Sequence, residues 1–341
     1  MRTDTFDYDL PAGLIAQDPL AKRDASRLMV VDRASGEISH HLFSDLPGFL
    51  HERDCLAVNK TRVLPARLSG TKLETGGRVE LLLLEKVGGE SWKAMTRGAS
   101  LRRGAKVVFG EGKLVASVAE DPQEGVVVVE LAAGAGSVAE AIDECGRVPL
   151  PPYITHELAD AERYQTVYAE REISAAAPTA GLHFTEELLR EVRGMGVSVA
   201  GLELAVGMDT FVPVREELVE DHRIHSEWFS LDGPAADAIN AAQDCGARRV
   251  AVGTTSVRVM ETCVDGSGLL HAQSGYTDLF IMPGYNFKAV DALITNFHFP
   301  RSTLLMLVCA FGGTDLVLRA YREAVRERYR FYSFGDAMLL A

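Results

Sequence analysis

The sequence predicts a mixed α/β protein in which a discontinuous α/β domain is interrupted by a β-rich insert. Three observations carry this reading. A chain of 341 residues is long for a single core, so two domains are expected. From about residue 77 to 131 the chain reads as short strands separated by glycine turns. From 186 onward helical and strand patterns alternate, as they do in a layered α/β domain.

Taken in order, 54-DCLAVNKTRV-63 is a strand without a partner of its own and is expected to join the larger domain. The runs RVELLLLEKV, WKAMTRG, AKVVFG, KLVASVAE and GVVVVELA then recur at about 8–12 residues, which suits a small closed or sandwiched β unit. Beyond them come a helix, EELLREVRGMG, a strand, VSVAGLELAVG, a helix, PAADAINAAQDCG, and the strand-helix pair RRVAVG and TSVRVMETCV. Strand 290-VDALITNF-297 leads through a proline turn into the apolar block 304-LLMLVCAF-311, and LVLRAYREAVRERYRF forms the last helix. No internal repeat or low-complexity tract interrupts the pattern.

Composition narrows the function classes. The chain is 47% apolar and 24% charged, the balance of a soluble globular protein. Its longest apolar runs fall far short of the roughly 20 residues a membrane helix needs, and MRTDTFDYDLP lacks the apolar core of a signal peptide. Cys55, Cys145, Cys245, Cys263 and Cys309 are scattered, odd in number and without a CxxC pair, which fits a reducing cytoplasm and argues against a zinc site. A net charge of −13 disfavours generic nucleic-acid binding, although local basic clusters can still hold phosphate.

Some motifs mislead. Gly134, Gly136 and Ala139 mimic a dinucleotide fingerprint, but RVPLPPYI follows and cannot supply the second parallel strand of a βαβ unit. The stretch 149-PLPPYI-154 is similar to the PPY core of amino-group methyltransferases, yet Leu150 stands where those enzymes need an acceptor, so a stiff connector is the better account. His222 and His225 sit three apart with no third ligand in view, and no metal is expected.

Four stretches carry more. In 249-RVAVGTTSVRVMET-262 a buried strand turns at Gly253, and Thr254, Thr255 and Ser256 open a helix whose free N–H groups suit an anion or a ribose, with Arg258 one turn in. In 174-SAAAPTAGLHFTEELL-189 small residues and Thr179 allow close approach to a ligand, and His183 precedes a helix capped by Thr185. Thr295, Asn296 and His298 end a strand, and Ser302 or Thr303 caps the following helix. In 59-NKTRVLPARL-68, Asn59, Thr61, Arg62 and Arg67 gather at the entrance to the insert, where arginines can grip phosphate or a carboxylate or simply line a solvated hinge. Ligands of α/β domains collect where strands end and helices begin, so the Thr/Ser-rich corners and the His-bearing turn are expected to share one pocket.

In order along the chain, FDYDLPAGLIAQDP, DASRLMVVD, NKTRVLPARL, RVPLPPYI, ERYQTVYAE, APTAGLHFTEELL, AVGTTSVR, TDLFIMPGYNFKAVDALITNFHFPRSTLLMLV and YRFYSFGDAML resemble the S-adenosylmethionine:tRNA ribosyltransferase-isomerase family of queuosine biosynthesis. The resemblance runs from about Phe6 to Leu339. It implies a discontinuous α/β, barrel-like domain formed by 1–68 and 149–341, with a small β-barrel at 69–148 as a tRNA contact. It implies a cytoplasmic monomer that needs no cofactor and takes S-adenosylmethionine as co-substrate. Its partner would be tRNA carrying 7-aminomethyl-7-deazaguanine, the queuine precursor, at the wobble position. The ribosyl part would be transferred and isomerised to give epoxyqueuosine, with release of adenine and methionine.

That chemistry needs a base beside the acidified 5′ carbon and an acid at the departing adenine. His183, His298 and Glu227 are the candidates for proton transfer. Asp336 would complement the sulfonium or the α-amino group, Tyr332 would pack on the cation or adenine, and Thr254, Thr255, Ser256 and Arg258 would hold the methionyl carboxylate or ribose. Arg62 or Arg67 would take a tRNA phosphate, and 93-KAMTRGASLRRGAK-106 is the favoured tRNA contact of the insert. The sequence departs from the family at Asp209, where glycine is usual, at Ser174-Ala175 for Gly-Ala, and at Phe299 for Leu. Asp209 motivates a competing expectation, a paralogue that binds tRNA or nucleotide without transfer activity. A methyltransferase using the same donor is the other competitor.

Overall fold

The computed structural model describes residues 1–123, 125–207, 213–224 and 226–341; Asp209 and His225 lie outside the described residues. The first strands are β1 (Arg27–Val31), β2 (Ile38–Leu42), β3 (Cys55–Asn59) and β4 (Thr61–Val63). They are followed by β5 (Arg67–Lys72), β6 (Arg78–Gly88), β7 (Ser91–Gly98), β8 (Lys106–Phe109), β9 (Leu114–Val118), β10 (Val126–Ala133), α1 (Val138–Cys145) and β11 (Gly146–Arg147). Next come β12 (Arg171–Ser174), α2 (Glu186–Gly194), β13 (Ser198–Leu204), β14 (Glu227–Leu231), α3 (Gly233–Asp244), β15 (Arg249–Val252) and α4 (Thr254–Cys263). The chain closes with β16 (Gln273–Thr277), β17 (Ala292–Asn296), α5 (Thr303–Gly312), α6 (Thr314–Arg326) and β18 (Ala337–Leu340). Two compact units result, one of Met1–Arg62, Pro151–Arg171 and Ala177–Ala341, the other of Val63–Leu150 and Glu172–Ala176.

The larger unit is built on a nine-stranded mixed sheet in the order β16-β14-β13-β3-β15-β17-β18-β1-β2. Strands β13, β3, β15 and β17 run parallel to one another, and β18 reverses against β17 before pairing parallel with β1. No pairing joins β16 to β2 among the described residues, so this sheet is open rather than a closed, barrel-like ladder. The central strands β3, β15, β17 and β18 are buried throughout. Continuous apolar strands of this kind belong to sheets covered on both faces. The period of two divides them: Cys55, Ala57, Ala251, Leu293 and Met338 face one core, Leu56, Val58, Val250, Val252 and Ile294 the other. Helix α5 packs into the first core with Leu305 to Cys309 buried, and its N-cap is Ser302, whose Oγ accepts the Leu305 N–H at 3.1 Å. No single helix among the described residues is long and apolar enough to cross a membrane.

The smaller unit is a closed antiparallel barrel. Its order is β5-β6-β7-β10-β9-β8, and a further pairing of β8 with β5 completes the ring. Gly70 makes that closure feasible, because a Cβ there would meet the Val108 carbonyl at 2.4 Å and the Phe109 ring at 2.5 Å. Leu68, Leu81, Ala94, Val107, Ala116 and Val129 fill the interior. Helix α1, begun by a capping box of Ser137 and Glu140, leads only to the two-residue β11, antiparallel to β5. The glycine pattern before it therefore serves a turn, not a dinucleotide.

The central strands of the large sheet are anchored at their start by Asp54. Its carboxylate accepts the His51 N–H, the Arg248 N–H and the Arg248 guanidinium, the last at 2.6 Å. Burial opposes its charge, but these donors hold the acid below the usual carboxylate range. Its contribution is thus present above the unfolded-state pKa and is lost as pH falls through the lower folded one. Replacing Asp54 by Ala leaves Arg248 without its partner; with Arg248 partly exposed, the expected loss is about 2 kcal/mol, read by urea denaturation at pH 7. A loss below a few tenths would show that the anchor contributes nothing.

Candidate active site

Strand geometry gathers one site at a single edge of the large sheet. Strands β15 and β17 point their carboxyl ends there, and β18 begins opposite Asn296. The edge opens into a pocket lined by Thr179, Thr254, Thr255, Asn296, His298 and Tyr332 among others, the concave kind of site at which small ligands bind.

The first wall is the start of α4. Gly253 turns the chain at φ +88°, with Thr255 Oγ1 already 3.3 Å from where a side chain would begin. Thr254 and Thr255 thereby face the pocket at the positive end of a helix. The Thr255 hydroxyl is buried with no hydrogen-bond partner among the described residues. Ser256 points the other way and donates to the Val252 carbonyl at 2.8 Å. Arg258 is also turned away, its guanidinium shared among Glu227 and the carbonyls of Leu279 and Thr277.

A second wall is aromatic. Phe299 stacks on Tyr332 with ring centroids 3.8 Å apart, and Tyr153 meets both edge-on or tilted. Tyr332 sits at φ +71°, an uncommon conformation for a bulky residue. It is held there by its own N–H to the Phe297 carbonyl and by its carbonyl, which accepts from Asn296, each at 3.1 Å.

The third element is a buried polar chain. Asn296 donates to His183 Nε2 and to the Tyr332 carbonyl, both at 3.1 Å, and its own carbonyl accepts the Thr179 hydroxyl at 3.0 Å. His183 Nδ1 meets Ser26 Oγ at 2.7 Å, and its ring stacks on Phe43. With Asn296 as donor, the network assigns the proton to Nδ1. His183 does not line the pocket but sits behind Asn296, and both its nitrogens are occupied. His298 does line it. Its Nε2 lies 2.7 Å from Thr295 Oγ1, while Nδ1 makes no hydrogen bond among the described residues. Tyr321 and Tyr8 pin its backbone.

Several residues singled out from sequence lie elsewhere. Asn59 and Thr61 are buried latches on the Leu204 backbone. Arg62 pairs with Glu162, and Arg67, in the barrel, with Glu80. Glu227 is taken up by Arg258 and the Gly207 N–H. Ser302 is consumed as a cap, and Thr303 begins α5 without reaching the pocket. Asp336 is buried and accepts the Arg27 and Arg330 N–H groups at 2.9 and 2.8 Å, so it braces β18 rather than facing a ligand; burial raises its pKa against those bonds. Sequence reasoning passed over Tyr153, Phe299, Ser333 and Ser26. Tyr153 follows the two prolines taken as a mere connector, and Phe299 shows only as a departure from the family pattern. Among the described residues no group of His, Cys, Asp and Glu is arranged to hold a metal.

Burial, helped by the charges of Arg330 and Arg23, pushes His183 down to about 3, and burial pushes His298 down to about 3. Both are neutral in the fold near pH 7. Because the unfolded chain protonates near 6.5, each histidine costs stability progressively as pH falls from 6.5 toward 3. Substituting Gln for His183 should therefore flatten the decline. Between pH 6.5 and 5 the wild type should lose about 2 kcal/mol more unfolding free energy than the variant, measured by urea titration. Equal losses would contradict a buried neutral His183.

The family model described as queuosine biosynthesis protein matches residues 3–340. The S-adenosylmethionine:tRNA ribosyltransferase-isomerases of Caldanaerobacter subterraneus subsp. tengcongensis and Acetivibrio thermocellus are 50% and 52% identical over 341 residues, covering all of both chains in each case. A crystal structure of S-adenosylmethionine tRNA ribosyltransferase from Thermotoga maritima is 36% identical, covers 99% of this chain and 100% of its own, and superposes with a TM-score of 0.56. With an open α/β sheet, an inserted closed barrel and a match along nearly its whole length, the chain belongs to the queuosine biosynthesis protein family.

Proposed function

We infer that this protein is an S-adenosylmethionine-dependent tRNA ribosyltransferase-isomerase. It moves the ribosyl part of the donor onto 7-aminomethyl-7-deazaguanine at the tRNA wobble position, and forms epoxyqueuosine with release of adenine and methionine. The observation that carries the reading is the junction, in one pocket, of a helix N-terminus, a stacked aromatic pair and a neutral histidine with an open nitrogen. A zwitterionic sulfonium nucleoside has matching parts. Its carboxylate or ribose suits Thr254 and Thr255, its cation or adenine suits Tyr332 and Phe299, and its acidified 5′ C–H suits His298 as the base.

His298 can act as base in the tautomer whose Nε2–H donates to Thr295, which leaves the Nδ1 lone pair of this pocket-lining residue without a hydrogen bond among the described residues. His183, Asn296 and Thr179 act by position: they hold the Tyr332 turn and thereby the aromatic wall. In the barrel, Arg97, Arg102, Arg103 and Lys106 are exposed and unpaired among the described residues, which supports the insert as a tRNA contact. The expected setting is the cytoplasm, with the protein acting as a monomer.

The deciding experiment incubates the protein with S-adenosylmethionine and precursor-bearing tRNA and identifies the products. Adenine and methionine are expected; S-adenosylhomocysteine instead would mean methyl transfer, and no turnover would mean a binding protein. His298→Ala should abolish adenine release at least 100-fold, whereas His183→Gln should retain much of it. Because His298 is neutral from pH 5 to 8, the wild-type kcat/KM should show no acid limb near 6.5. Thr255→Val should raise the donor KM about tenfold while leaving Tm unchanged or higher, since the hydroxyl has no partner to lose in the free protein. An unchanged KM would remove Thr255 from the donor site.

A further inference from the structure

Behind His183 lies a second, smaller cavity, open to solvent, that the donor chemistry does not use. Arg23, Arg163, Ser26 and His183 line it, and Ser333 lines both this cavity and the donor pocket. Arg330 is not part of the lining but lies close by, its carbonyl beside Gly335 and its guanidinium on the Asp18 carbonyl.

The three arginines are unusual in their partners. Arg23 donates to the carbonyls of Leu182 and Glu162, at 3.1 and 2.8 Å. Arg163 donates to those of Ala21 and Leu20, at 3.2 and 2.6 Å. Carbonyls hold a guanidinium in place but do not neutralise it, and among the described residues none of the three has a carboxylate within ion-pairing distance. Nearby acids are committed elsewhere: Glu162 to Arg62, Asp18 to His156, Asp160 to the Glu162 N–H, and Asp336 to two backbone N–H groups. Two donors, Arg163 Nε and Arg330 Nη1, are buried without a hydrogen-bond partner among the described residues. Buried donors of this kind are costly to leave unmade. The local potential is felt by neighbours as well: Arg23 and Arg330 both act to keep His183 uncharged, and Arg163 acts against the charge of Arg23, which Asp160 and Glu162 only partly support.

We propose that this cavity binds a backbone phosphate of the tRNA. Guanidinium forks match phosphate oxygens. The donor carboxylate already has a place at the α4 N-terminus, and the shared Ser333 puts the cavity next to the pocket that the acceptor nucleotide must reach. The phosphate completes the bonds of Arg163 and sets the strand's register, so the wobble base enters the donor pocket. This inference rests on the ribosyltransferase reading above.

Its test uses the intact protein and the adenine-release assay. Arg163→Gln should raise the KM for tRNA about tenfold, leave the donor KM unchanged, and reduce the slope of log affinity against log salt by about 0.7. Arg193→Gln, an exposed change on α2, serves as the control and should alter none of these. A second arm needs no variant: at constant ionic strength, inorganic phosphate or sulfate replacing chloride should compete with tRNA and not with S-adenosylmethionine. Either an unchanged tRNA KM in a folded Arg163→Gln protein, or anions that fail to compete with tRNA, overturns the proposal. A rise in the donor KM alone overturns it too, in favour of a carboxylate site. If the wild type releases no adenine, the ribosyltransferase reading itself fails, and tRNA retention by the wild type against Arg163→Gln, measured by filter binding, then decides the phosphate site on its own.

Discussion

The carboxamide of Asn296 is the joint on which the candidate site depends. It has two N–H groups and one carbonyl, and all are engaged: His183, the Tyr332 carbonyl and the Thr179 hydroxyl take one each. This arrangement works only if His183 presents a lone pair at Nε2. A protonated imidazole would set N–H against N–H in a buried space, where an unmet donor is expensive. The burial that keeps His183 neutral is therefore a structural requirement of the Tyr332 turn, and through that turn of the aromatic wall. Ser26 completes the chain: its Oγ accepts the Nδ1–H and its hydroxyl donates to the Arg23 carbonyl.

Topology explains why these residues, distant in sequence, converge. Parallel strands β3, β15 and β17 deliver their carboxyl ends to one edge. Because β18 runs against β17, the loop that precedes it arrives at that same edge, and because β1 runs parallel to β18, so does the segment that precedes β1. Ser26, Gly253, Asn296 and Tyr332 thus meet by the order of strands alone, at the place where open α/β sheets bind ligands.

Much of this was legible in the sequence, and the remainder has a physical reason for being hidden. The strand-turn-helix corners at Gly253 and at Ser302 were readable because glycine at positive φ and a serine N-cap are local signals. The insert was readable from glycine spacing, although the closure of its ring depends on the long-range β5–β8 pairing. What sequence could not supply was the direction of side chains on one helix or turn. Thr255 and Ser256 are adjacent, yet one faces the pocket and the other caps back onto Val252. His183 and His298 look alike as histidines near strand or helix ends, yet one is boxed in on both nitrogens and the other is open. Asp336 looked like a ligand-facing acid because charged residues in a motif attract that reading, whereas two backbone N–H groups claim it.

The acidic net charge and a polyanionic substrate are reconciled by where neutralisation fails. Net charge governs the far field, which water and salt screen within about 10 Å. Contact with a phosphate depends on cations that lack a carboxylate of their own. Arg62 and Arg67 were the natural candidates by sequence, being arginines in a polar stretch, but each already faces a glutamate. Arg23 and Arg163 are held instead by main-chain carbonyls, with no carboxylate in direct ion-pairing contact among the described residues, although Asp160 and Glu162 partly offset the Arg23 charge from farther away. Holding cations this way works against the free protein, since burial and mutual repulsion lower the Arg23 pKa. An anion that relieves both effects gains what the free protein has lost, so the cost borne in the unbound state becomes selectivity for phosphate.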